Sequence, residues 1–282
     1  MAPVSWLFRP TPLARIAWLR LAAYLFIPVD VLLTTPWVSA HADVPGQLYE
    51  PLRIGRLLHL PTPGPWVEAL RWALVVAALL AASGRHPRVL GALVAVLYLE
   101  WMVVAFSYGK VDHDRVGFLV LLAVLPTVGA ARRTDRRSSD AAGWAIGMTS
   151  LAVVATYFLS AFAKLRFGGL DWVDGATLTR AVVRRGTWLS DPLLDHTWVL
   201  HGFQYVLIGV ELLVSPLLLV RWRDERRTWL LVGGFYVFHL MTFLTLSIVF
   251  LPHCVALLAL LPLERLSVRR VQPAPPREPV PA

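Results

Sequence analysis

Eight apolar runs, at about residues 18–37, 66–83, 89–107, 114–130, 141–163, 198–220, 228–247 and 249–263, dominate the chain and leave it few folds to choose from. Each is roughly 15–23 residues long, close to the about 20 that a helix needs to cross the hydrocarbon core of a bilayer. Inside lipid, backbone N–H and C=O groups must be paired within the segment, so runs of this length fold as helices. Composition agrees, because 57% of the 282 residues are hydrophobic and only 16% are charged, which is unlike a soluble domain. The expected fold is therefore all-α, a polytopic transmembrane bundle of about eight spans. The last two runs are parted only by the region of Pro252, and also read as one broken helix with a re-entrant piece.

The net charge of +9 would suit nucleic acid if it formed a basic stripe with interleaved aromatics. The arginines instead sit in short clusters between apolar runs, where they orient a membrane protein by the positive-inside rule. Assigning loops alternately to the two sides puts most of them, Arg85, Arg88, Arg132, Arg133, Arg136 and Arg137 among them, on one side. Both termini are then expected in the cytoplasm of a cell-membrane protein, with external loops at 38–65 and 164–197. Residues 1–17 read as a cytoplasmic leader, 18–263 as the transmembrane domain and the Pro-rich 264–282 as a disordered cytoplasmic tail. A signal-peptide reading competes at the start, since Ala40-His41-Ala42 fits a small-x-small cleavage pattern. Arg20, Pro28 and Asp30 within the first run suit a retained helix better. The one cysteine, Cys254, excludes an internal disulfide and a cysteine-based metal site.

Ionisable groups within spanning helices are costly unless paired or wet, which makes each one a candidate for function. Only two of the 27 basic residues are lysines, Lys110 and Lys164. A desolvated lysine can lose its proton and act as a general base, as arginine cannot. Lys164 closes the fifth run, with Tyr157 and Ser160 before it at helical spacing, so that all three share a face. The alternation of loops brings His113, His201 and His239 to the same outer half of the bundle. His201 shares a face with Gln204 and Glu211, while His253, near a turn, reads as a packing residue. Arg20 and Glu211 fall in the cytoplasmic half and suggest a structural pair, with Asp30 in the first run either structural or functional. Trp172, Trp188 and Trp198 are expected at the interface. No His-x-x-x-His or His-Glu-x-x-His pair is present, so no metal site is expected. In the external loop, Asp174-Gly175-Ala176-Thr177 reads as the cap of a short helix running through Arg185.

At these residues the chain resembles the HTTM family, the transmembrane module shared with vitamin K-dependent gamma-carboxylase. The most specific match is Tyr157-Phe, then Lys164-Leu165, then Asp171-Trp172-Val-Asp-Gly175. Leu19-Arg20 with Asp30, Asp112-His113, Val199-Leu-His201-Gly202 and Phe238-His239 support it, over about residues 5–264. The resemblance implies that Lys164 is the base that deprotonates a reduced quinone of vitamin K or menaquinone type, with His113 as its partner. It also implies that His201, His239, Tyr157 and Trp172 line the substrate pocket. The quinol anion of the family enzyme reacts with oxygen, and the strong base so formed drives carboxylation of a glutamate side chain. Two departures bear on this: Ala163 replaces the family's second lysine, and the extramembrane domain that holds the glutamyl peptide has no counterpart in these 282 residues. A separate extramembrane partner protein would have to supply it.

The leading expectation is thus a membrane protein acting on a quinol or other lipophilic small molecule, with Lys164 as general base. The alternatives are a non-enzymatic protein that binds a lipid or a partner, and a small-solute or proton transporter. The absence of internal repeats gives the transporter no support.

Overall fold

The computed structural model describes residues 5–108, 111–220 and 225–267. Lys110, the first four residues of the expected leader and the expected tail from 268 onward lie outside the described residues. Eleven α-helices are found among the described residues: α1 Leu13–Val29, α2 Arg53–Leu57, α3 Trp66–Ala82, α4 Pro87–Phe106, α5 Val116–Val124, α6 Asp140–Gly168, α7 Asp171–Asp174, α8 Thr177–Arg185, α9 Thr197–Gly209, α10 Glu225–Leu246 and α11 Leu251–Leu257. The described strand is a two-residue antiparallel bridge, Thr11 with Ser139 and Pro12 with Ser138. All eight apolar runs are helical. Among the described residues, five helical stretches are long and apolar enough to cross a membrane: Leu13–Thr34, Pro87–Phe106, Asp140–Gly168, Asp191–Leu219 and Glu225–Leu246. The other three runs form shorter helices; the 17 residues of α3 rise about 25 Å at 1.5 Å each.

The chain runs up and down between two ends. At one end gather the starts of α1, α6 and α10 and the turn from α3 to α4. Ion pairs from Arg15 to Glu264 and from Arg265 to Glu225 link α1 to α10 there through residues 264 and 265. The other end carries residues 35–65 and 169–196. Helix α1 begins at Leu13, five residues before the expected run, because residues 135–137 satisfy its first amides. Leu13 N–H donates to the Arg137 carbonyl and Ala14 N–H to that of Asp135. Ahead of it, the turn Ser5–Phe8 lies against α6 over Gly143 and Gly147, one helical turn apart. A Cβ at Gly143 would overlap the Arg9 carbonyl, so the bare backbone permits this close approach.

Helices α1, α3, α4, α5, α6 and α11 share one core, in which Tyr24, Tyr98, Trp101 and Phe118 are fully buried. Phe118 meets Tyr98 and Phe26 edge-on at 5.2 and 5.3 Å, the arrangement that ring quadrupoles favour. In lipid this packing is held by dispersion and polar ties rather than by exclusion of water. The stretches Asp191–Leu219 and Glu225–Leu246 are only 22% buried against 44–50% for the other three, so they present most of their apolar surface outward.

The last two runs are two antiparallel elements, not one broken helix. Helix α10 stops at Leu246, Ser247 adopts a left-handed φ of 54°, and α11 returns along it with Tyr236 donating to the Cys254 carbonyl at 2.7 Å. Two of the long stretches also contain a π-helical turn, Asp30–Thr34 after α1 and Val210–Val214 after α9. In each, hydroxyls bind the carbonyl of an acidic residue: Thr34 and Thr35 that of Asp30, and Ser215 that of Glu211. Such turns widen a helix and re-aim the side chains they contain.

Candidate functional site

The sequence placed Lys164 at the start of an external loop; the structure carries α6 through it to Gly168, so the lysine stands one turn inside the helix end. Its ammonium forms an ion pair with Oε1 of Glu211, presented by the π turn of α9. The glutamate is 5% exposed. Ser160, one turn before the lysine, donates to the same carboxylate oxygen at 3.3 Å. Trp172 lies on the other side, its ring centroid 5.2 Å from Lys164 Nζ, a cation–π distance. The second carboxylate oxygen, Oε2, is buried and has no hydrogen-bond partner among the described residues. The expected pairing of Glu211 with Arg20 is therefore not formed. The π turn swings Glu211 to α6, and Arg20 is engaged elsewhere.

The loop that brings Trp172 to the lysine is held by Gln204 of α9, which is fully buried. Its amide donates to the carbonyls of Val173 at 2.5 Å, Gly175 at 2.9 Å and Trp172 at 3.3 Å, and its oxygen accepts the N–H of Leu178 at 2.7 Å. One side chain thus closes α7 and caps the start of α8, the short helix expected after Asp174 to Thr177. The next residue, Tyr205, donates to the Asp174 carboxylate, and His201, one turn before it, packs edge-on against its ring at 5.4 Å. His201 thereby joins the wall that carries Trp172.

A second polar group lies on the same face of α6. Tyr157, two turns before Lys164, hydrogen-bonds Nε2 of His239 on α10 at 2.6 Å. Both residues also pack on His253, whose ring centroid is 4.7 Å from that of Tyr157 and 5.3 Å from that of His239. His253 is 1% exposed, and neither of its ring nitrogens has a hydrogen-bond partner among the described residues. The 3-10 turn that opens α5, His113–Arg115, packs against α11, the helix that carries His253. Of the residues singled out in the sequence, then, Glu211, Ser160 and Trp172 gather at Lys164. Tyr157 and His239 gather around His253, against whose helix the turn carrying His113 is packed.

Asp30 and Arg20 tie the bundle together. Asp30, fully buried, accepts from Arg115 at 2.7 Å and from Tyr98 at 2.8 Å, which joins α1, α4 and the start of α5. Arg20 is 5% exposed, and its guanidinium donates to the carbonyls of Leu125, Val128 and Gly129. It closes the carbonyl end of the α5 stretch, where a cation is favoured. Sequence reasoning missed Arg115 and the clamp made by Gln204. An arginine directly after the two aspartates of Asp112-His-Asp-Arg115 was the available signal for the first; a glutamine within an apolar run was that for the second.

Among the described residues no group of three or more His, Cys, Asp or Glu is arranged to hold a metal ion. No protein-family model, curated protein or solved structure matches the chain.

Proposed function

We propose that this chain is an integral protein of the cell membrane that binds a lipophilic, quinol-type small molecule beside the Lys164–Glu211 pair and takes a proton from it. The observation that carries the reading is the pair itself: a lysine and a glutamate joined inside apolar helices, under an indole face. Intramembrane charges are retained at a cost that function repays. The pair can also do acid–base work without adding net charge to lipid. Lys164 passes one proton to Glu211, and its free amine accepts the proton of a quinol hydroxyl. The quinolate then rests against the ammonium, a neutral carboxylic acid and the ring of Trp172. Exposed Phe158, Leu159 and Phe162 on α6 offer an apolar flank for an isoprenoid tail.

The resemblance to the HTTM family supports this reading through Lys164 and Trp172, and the clustering of arginines at one end supports cytoplasmic termini with Lys164 toward the outer side. The test is oxygen consumption by the purified protein with reduced menaquinone, with the products examined for epoxide. Lys164→Ala and Lys164→Arg should both abolish it, the second because arginine stays protonated. Uptake that survives Lys164→Ala removes the lysine from the mechanism. A second reading, a non-enzymatic protein that holds a lipid headgroup, is favoured by the fact that Lys164 is already paired. Quinone binding with no oxygen uptake by any quinol would select it.

A further inference from the structure

At the end of the bundle opposite Lys164, a cavity of about 560 Å³ opens between α1, the turn from α3 to α4 and residues 131–134. Four arginines line it, Arg20, Arg85, Arg132 and Arg133, together with Ser83, Thr134 and the apolar walls of Ala17, Leu21 and Ala81. Arg88 adds a fifth guanidinium beside Gly129. None of the described lining residues is acidic; Asp135, the next residue along, is bound to Arg137 and also acts on Arg132.

The cavity is built rather than incidental. Arg20 is 95% buried, with Nε unpartnered among the described residues, while its other nitrogens are fixed on three carbonyls. Those carbonyls are neutral, so the positive charge at the cavity floor has no counter-anion from them. Arg133 is held over the indole of Trp18 at 5.1 Å, and its carbonyl is anchored by the hydroxyl of Ser267, which in turn accepts from Trp18 at 2.8 Å. Guanidinium groups present planar forks that match phosphate oxygens. A basic pocket between helices at the mouth of a bundle, with apolar side chains between its arginines, has the form that receives an anionic headgroup.

We propose that this cavity binds a phosphate-bearing anion, either the headgroup of an acidic phospholipid or free phosphate. The full chain, purified and reconstituted, would be analysed by native mass spectrometry after titration with phosphatidylglycerol or with phosphatidylcholine. Wild type should retain phosphatidylglycerol preferentially. The double variant Arg132→Gln/Arg133→Gln should weaken that retention about 25-fold, at about fivefold per arginine. Arg136→Gln/Arg137→Gln, which removes the same charge outside the cavity, should leave it close to wild type. Release of the lipid by millimolar inorganic phosphate would show that the phosphate alone is the ligand; retention of the lipid in its presence would assign the site to the whole lipid. Equal losses in the two double variants, or no preference over phosphatidylcholine, would overturn the proposal. Circular dichroism and monodispersity of both variants establish that they are folded.

Discussion

Lys164 of α6 and Glu211 of the α9 π turn form an ion pair between two largely apolar helical stretches, with 22% and 7% of their side chains exposed. Removing one partner strands the other charge, at a cost of about 3–5 kcal/mol for a fully buried pair and less here because the lysine is partly open. Lys164→Met and Glu211→Gln should each lower the thermal unfolding midpoint in nanodiscs, and the double variant should recover much of the loss. In turnover the two should be non-additive, the double variant being no slower than the worse single. Additive effects on both readouts would mean that the two residues act apart.

The triad of Asp30, Arg115 and Tyr98 makes a graded prediction. Tyr98→Phe deletes the hydrogen bond it donates to Asp30 and the one it accepts from Arg115, and should cost about 1.5–3 kcal/mol. Arg115→Leu leaves a fully buried carboxylate without its cation and should cost about 3 kcal/mol or more. Unfolding midpoints measured side by side give the ranking; a milder effect for Arg115→Leu than for Tyr98→Phe contradicts the arrangement.

Gln204 contacts the backbone of residues 172–178 at four points, its two N–H groups shared among three carbonyls and its oxygen accepting one N–H. A full hydrogen bond of this kind is worth about 0.5–1.5 kcal/mol. Gln204→Leu keeps the volume and removes all of these contacts. Hydrogen exchange should accelerate at least about tenfold in α7 and at the start of α8, while α4 and α5 stay protected. Any turnover should suffer mainly in KM, since Trp172 loses its fixed position. Unchanged exchange at Leu178 would show that the clamp is not what holds the loop.

The class of fold was legible because hydropathy reports directly on whether backbone can be solvated, and all eight apolar runs are helical. The polar residues were legible as a set but not as partners. Glu211 was assigned to Arg20 because counting along the runs puts both in the cytoplasmic half. The π turn, supported by Ser215, shifts the register and delivers it to Lys164 instead. Asp30 met the same device through Thr34 and Thr35. A π turn is a tertiary compromise with no hydrophobic period of its own, so neither pairing could be read from spacing. His253 likewise passed as a packing residue, since its place between Tyr157 and His239 depends on the reversal at Ser247.

His41, outside the spanning stretches, offers a pH test. Its ring stacks on Tyr108 with centroids 4.0 Å apart and meets Trp37 edge-on at 5.4 Å. Burial lowers its pKa below the usual histidine value of 6.5, and a hydrogen bond with the backbone of Val104 opposes this in part. The fold therefore favours neutral imidazole. Above pH 6.5 neither the folded nor the unfolded chain carries the proton, and the contribution to stability is complete. As pH falls below 6.5 the unfolded chain takes up its proton first, and the contribution is lost as pH descends through the folded value. The unfolding midpoint of the wild type should thus fall between pH 7.5 and 5.5 by more than that of His41→Phe, which keeps an aromatic ring against Tyr108 without the titration. Parallel falls in the two proteins would locate the acid sensitivity at other groups.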